Sequence, residues 1–207
     1  MGEAMAERGE GPAVVRELAS FRGRPSEEEV TSYVGMVIFL GSWAMLFAAL
    51  FFSYALLRAR SPSWPPPGDP PLPVLLPGLN TLVIGASSLA VVRGVRAFGL
   101  GRRRRAAGAL ALGAALGAVF LALQGVVWAG AWRAGLLPSG GPYGSVFYAL
   151  TAFHALHVLA GLLALAALAA RVLAGPGPGR TRVRLWAMFW HFVGAVWCAL
   201  YAAVYLA

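Results

Sequence analysis

The sequence predicts an all-α, polytopic membrane protein: a bundle of five transmembrane helices, N-terminus in the cytoplasm and C-terminus outside. Two observations predict the bundle and a third its orientation. Of 207 residues, 59% are hydrophobic and only 12% charged, against roughly a quarter charged in an average soluble domain. A soluble fold of this length lacks the polar surface to cover so much apolar side chain. The charges also cut the chain into long apolar runs, each sufficient for the about 20 residues that cross a bilayer. The arginines, finally, fall unevenly on the two sides of those runs.

Residues 1–32 read as a cytoplasmic tail with seven acids and four arginines. That is the reverse of the short basic segment ahead of a signal-peptide core. Residues 33–207 form the transmembrane domain. The first span, 33–57, is 25 residues without a charge. The second, 77–97, is expected to become helical near Pro77, with Arg93 and Arg96 snorkelling from its far end. The third, 106–132, is 27 uncharged residues. The fourth, 143–170, lies in an uncharged run of 37, its helix expected to begin near Tyr143. The fifth, 185–207, holds 23 residues.

All seventeen basic residues are arginine. With alternating spans, one side receives the tail, Arg93, Arg96, Arg102 to Arg105, Arg171, Arg180, Arg182 and Arg184, fourteen in all; the other receives Arg58, Arg60 and Arg133. Positive charge stays inside, so the N-terminus is cytoplasmic. Arg102 to Arg105 are read as a topology determinant touching anionic lipid heads, not as a nucleic-acid patch. The net charge of +9 accordingly points to a membrane surface and to no nucleic acid. Trp128, Trp132, Tyr143, Tyr148, Tyr201 and Tyr205 fall at the expected outer border, and Trp186 and Trp190 near the inner one, where aromatic rings anchor. Gly113 and Gly117 form a small-xxx-small pair that lets helices approach closely.

Polar residues inside the spans are Ser42, Ser53, Ser87, Ser88, Gln124, Thr151, His154, His157, His191 and Cys198, and no acid follows Asp69. Intramembrane histidines are functional candidates, and three readings compete: a haem or metal site, a proton relay, or hydrogen bonding between helices and to lipid heads. Depth argues against shared ligation. His157 lies about 21 Å from the inner border on a descending helix, and His191 about 10 Å from it on an ascending one; ligands must lie within about 2 Å of one metal or flank it. Proton carriers use embedded carboxylates, which these spans lack. No catalytic residue, metal site or cofactor site is therefore assigned to this chain.

Six segments resemble, in order, subunit III of the haem–copper cytochrome oxidases. They are GMVIFLGSWAMLFAALFFSYALL from Gly35, WPPPG from Trp64, PGLNTLVIGASS from Pro77, FLALQ from Phe120, TAFHALHVLAGLLAL from Thr151 and FWHFVGAVWCALYAAVY from Phe189. The layout is similar to the short, five-helix bacterial form, as a divergent branch. Where that family usually carries a carboxylate, this chain has Trp43, Val127, Arg184 and Gly194. The resemblance implies a non-catalytic accessory subunit of a respiratory terminal oxidase in a bacterial plasma (inner) membrane. It implies haem and copper in partner subunits and none here, packing against subunits I and II and optionally a small subunit IV, and bound phospholipid in a cleft between helices. The motif-matching candidates for that cleft and for helix packing are Arg58, Trp64, Asn80, His154, His157 and His191. Asn80, near a helix start, is expected to satisfy free backbone N–H groups. The alternatives are an accessory subunit of a nitric oxide reductase-type complex, and an independent membrane cytochrome or transporter using the histidines.

Overall fold

The computed structural model describes residues 26–175 and 177–206. Most of the expected tail, with Arg8, Arg16, Arg22 and Arg24, lies outside the described residues. Five helices follow: α1 (Glu27–Arg60), α2 (Leu75–Gly99), α3 (Arg103–Arg133), α4 (Pro142–Ala174) and α5 (Arg180–Leu200), the last running into a π-helical turn, Tyr201–Leu206. All five are long and apolar enough to cross a membrane, and no strand occurs among the described residues.

Each helix except α5 at its C-terminal end outruns its expected span, because the ends of the charge-free runs are not the ends of the helices. α1 starts at Glu27 since Ser26 caps it: its Oγ accepts the Glu29 N–H at 3.2 Å, and Glu27, Glu28 and Glu29 face the positive end of the helix dipole. Arg58 and Arg60 sit in its last turn, where cations are favoured. α4 begins at Pro142, whose fixed φ and missing N–H suit a first turn.

Two tight turns set the antiparallel order. Gly101 (φ 73°) and Gly135 (φ 93°) each take the left-handed conformation just past a helix. Behind them Arg102 N–H donates to Ala97 O and Leu136 N–H to Ala131 O, both at 3.0 Å. This geometry satisfies terminal carbonyls while reversing the chain. It makes α2–α3 the most extensive helix pair and α3–α4 the next.

The four helices α2 to α5 close around Trp190. Its indole is fully buried, and its Nε1–H donates to Ser87 Oγ at 3.1 Å while Ser87 donates to Gly113 O at 2.7 Å. A Cβ at Gly117 would lie 2.6 Å from one edge of the six-membered ring, and a Cβ at Gly161 2.7 Å from the other. The two glycines of the small-residue pair thus serve different neighbours, for Gly113 packs on Val91 of α2. α1 is attached differently. Its buried residues are Leu40, Phe47 and Tyr54, a narrow stripe at seven-residue spacing, and it meets only α4 and α5 to any extent. Its remaining apolar faces, with Val37, Ile38, Met45 and Phe52, are exposed.

The arginine-rich ends gather at one end of the bundle. Arg103 donates to Gly175 O and Arg180 to Gly99 O, tying α3 to the end of α4 and α5 to the end of α2. Thr181 donates to Glu29 Oε1 at 2.7 Å, tying α5 to the start of α1.

Candidate functional site

Residues on α4 supply the polar centre. Thr151, His154 and His157, each three positions from the next, present one helical face to the bundle interior. Thr151 Oγ1 donates back to Phe147 O at 2.7 Å and accepts from Trp128 Nε1 at 3.0 Å. His154 is 1% exposed. Around it stand Trp197, Phe120 and Phe47, with ring centroids 5.4, 5.8 and 6.4 Å away. Neither of its ring nitrogens has a hydrogen-bond partner among the described residues.

His157 sits one turn on, at the seam with α1. Its Nδ1 lies 2.6 Å from Phe153 O; the carbonyl can only accept, so Nδ1 carries a proton, and Nε2 has no hydrogen-bond partner among the described residues. Trp43 of α1 stands edge-on to this ring at a centroid distance of 4.2 Å, with Phe47 at 5.2 Å. Trp43 is one of the four positions at which the family resemblance leads one to expect a carboxylate. An indole covers the imidazole there instead.

The structure does not gather the six sequence candidates into one site. Asn80 is fully buried on α2, and its role differs from the one expected. Val74 occupies the cap position, and Asn80 Nδ2 instead donates across to Phe120 O on α3 at 3.2 Å. It therefore joins the His154 cluster through Phe120. Trp64 is at the opposite end from the arginine-rich turns, where its Nε1–H donates to Tyr54 Oη at 3.0 Å and its ring meets Tyr143 edge-on at 4.9 Å. Arg58 lies nearby on a shallow groove that also includes Tyr54 and Ala203. His191 stands apart from both groups, half-buried on α5 beside Val92 and Met188.

A larger cavity lies where none of these residues is. At the arginine-rich end, a cleft of about 690 Å³ opens between α1, the end of α4 and the start of α5. Ser32, Met36, Arg171, Thr181, Arg182 and Trp186 line it. Two guanidinium groups and the Ser32 hydroxyl stand over an apolar floor, an arrangement that suits a phosphate-bearing amphiphile, while the Thr181 hydroxyl is committed to Glu29 Oε1. In the sequence, Arg171 and Arg182 serve only to set topology and Trp186 only as an interfacial anchor. The signal passed over was that these residues flank a Gly-Pro turn facing the acidic start of α1. Among the described residues, no group of three or more His, Cys, Asp or Glu is placed to hold a metal ion.

Among known proteins, the family described as cytochrome c oxidase subunit III has a model that matches residues 14–207. The chain is 35% identical over 178 residues to the cytochrome c oxidase subunit 3 of Synechocystis, spanning 83% of this chain and 74% of that protein. It is 36% identical over 183 residues to a probable cytochrome c oxidase subunit 3 of Nocardia farcinica, spanning 83% and 86% of the two chains. The subunit 3 of Lumbricus terrestris is 38% identical over 184 residues, spanning 83% and 68%. By the family match and by these relatives, the chain belongs to the cytochrome c oxidase subunit III family.

Proposed function

We propose that the chain is the non-catalytic accessory subunit of a haem–copper oxidase, packing on the catalytic subunit I beside subunit II and steadying it during proton-coupled oxygen reduction. Haem and copper belong to those partners. The chain crosses a bacterial plasma membrane five times, with its 1–32 tail and arginine-rich end in the cytoplasm and its C-terminus outside. A phospholipid occupies the cleft beside α1, its phosphate on Arg171 and Arg182.

The observation that carries this is the way α1 is held. Only Leu40, Phe47 and Tyr54 of this helix are buried, with Trp43 and Phe39 packed beside them, while Val37, Ile38, Met45 and Phe52 stay exposed. In a bilayer such a face is available to another subunit or to lipid. The interior polar groups, in contrast, are enclosed by aromatic rings and serve packing. Phe47, Phe120 and Trp197 surround His154, and Trp43 and Phe47 cover His157.

The test is deletion of the chain from the assembled oxidase. The partner's haem spectrum is expected to stay intact, and oxygen consumption to begin near normal and then decay faster over successive turnovers. Immediate loss of haem absorbance on deletion, or a Soret band in the isolated chain, would overturn the accessory role.

A further inference from the structure

At the arginine-rich end a second groove runs between α2 and α5, on a face of the bundle away from the α1 cleft. Its outer part, about 180 Å³, is bordered by Arg96, Arg180 and Arg184. Its inner part, about 380 Å³, shares Val95, Arg96 and Arg184 with the outer part and continues along Val92, Ala187 and Met188 to His191. That volume is within the about 300–1,000 Å³ of ligand-holding clefts. Arg96 and Arg184 thus stand at the junction, exposed, with a small mouth that Arg180 also borders on one side and an apolar slot about two helical turns long on the other.

Charge is what makes the groove unusual. No carboxylate follows Asp69 in the sequence, so α2 to α5 offer no counter-ion of their own. The acids at this end that the structure describes, Glu27, Glu28 and Glu29, are on α1 and border neither part of the groove. Arg180 is committed to Gly99 O, and Arg96 and Arg184 both border the two parts of the groove. Guanidinium groups sharing one groove repel, and an anion between them relieves that repulsion. Guanidinium forks match phosphate oxygens in geometry as well as charge. A free inorganic anion would leave the slot down to His191 unfilled; a phosphate carrying acyl chains fills both.

We propose that this groove binds one anionic phospholipid, its phosphate between Arg96 and Arg184 and an acyl chain along Val92, Ala187 and Met188. Arg184 belongs to the site although it occupies a position where the resemblance points to a carboxylate, so the site is a property of this chain's own departures. It depends on the chain spanning a membrane and not on what the partner subunits catalyse.

The experiment uses the intact complex in nanodiscs of phosphatidylcholine containing phosphatidylglycerol with a photoactivatable acyl chain. Labelling is expected on Val92 of α2, which does not border the α1 cleft, as well as on Ala187 and Met188 of α5, competed by unlabelled phosphatidylglycerol but not by phosphatidylcholine or inorganic phosphate. An arginine beside an anionic lipid surface contributes about fivefold in affinity, so Arg96→Gln with Arg184→Gln should weaken the labelling roughly thirtyfold. Arg96→Lys with Arg184→Lys keeps the charge and should retain most of it. The competition in the unmodified complex stands independently of how well the variants assemble. Equal competition by phosphatidylcholine, competition by phosphate alone, or absence of label because a partner subunit covers the groove would each overturn the proposal. None of these outcomes bears on the turnover test of the accessory role.

Discussion

Gly117→Ala puts a methyl group against the fully buried indole of Trp190. The added Cβ would lie 2.6 Å from Trp190 Cη2 and 3.1 Å from Cζ2, where carbon contacts normally sit near 3.5–4.0 Å. The indole must therefore retreat by about 1 Å. It has nowhere to go: on its opposite edge the Cβ position of Gly161 is 2.7 Å from Cε3, and its N–H is held by Ser87 at 3.1 Å. Overpacking costs about 1–3 kcal/mol, with a pinned ring at the upper end. Alanine's better helix propensity returns about 1 kcal/mol, leaving a net loss of about 1–2 kcal/mol. Gly125→Ala on the same helix is the control, since a Cβ there meets nothing within 4 Å. The difference between the two variants isolates the overlap, at about 2–3 kcal/mol. The assay is thermal or detergent-induced dissociation of the chain from the purified complex. Trp190→Phe removes the ring edge that Gly117 faces, so in that background Gly117→Ala should cost much less. If Gly117→Ala is as stable as Gly125→Ala with Trp190 present, the pinned-indole account is wrong.

Three further outcomes follow from the same geometry. Asn80→Leu loses the Nδ2 bond to Phe120 O and should weaken the bundle by roughly 0.6–1.7 kcal/mol in the same dissociation assay. His154→Leu breaks no hydrogen bond among the described residues, so it should change stability by less than about 1 kcal/mol; a larger loss would reveal a polar partner for that ring. For orientation, Cys198, which is exposed, is first changed to Ser. A cysteine introduced at Gly140 should then react with an impermeant thiol reagent in intact cells and one at Gly177 should not, the opposite pattern reversing the topology.

The five helices were legible because a span of hydrocarbon demands about 20 apolar residues and the charges mark where each run stops. Their ends were less so. The Ser26-to-Glu29 spacing is a capping signal that places the start of α1 at Glu27, yet hydropathy alone begins it at Tyr33. The reversals at Gly101 and Gly135 follow from glycine past an apolar run, and Leu136, buried just beyond the second, supplies the apolar contact that accompanies such a turn. Motif matching points to Asn80, His154 and His157, which meet around Phe120 and Phe47. It places Arg58 and Trp64 at the outer border, and depth alone separates His191 from His157, as the structure has them. Contacts such as Trp190 with Ser87 cross 103 positions, and a single sequence carries no record of which glycine faces which indole. The arginines were counted as charges; which of them share a groove depends on helix rotation, which the count does not contain.

The narrow attachment of α1 bears on the order in which the molecule assembles. α2, α3 and α4 pair with their neighbours in sequence through short turns, contacts that form early because little chain must be closed. The surface that receives α1, with Phe153 and His157 on α4 and Phe189 on α5, is made by helices synthesised after it, so α1 docks only once they are in place. Until α4 is inserted it waits in the bilayer as a separate span, its backbone bonds satisfied within itself. A chain stopped before α4 should thus leave α1 as an orphan helix beside the folded α2–α3 hairpin, exposed to membrane quality-control proteases while the hairpin is protected.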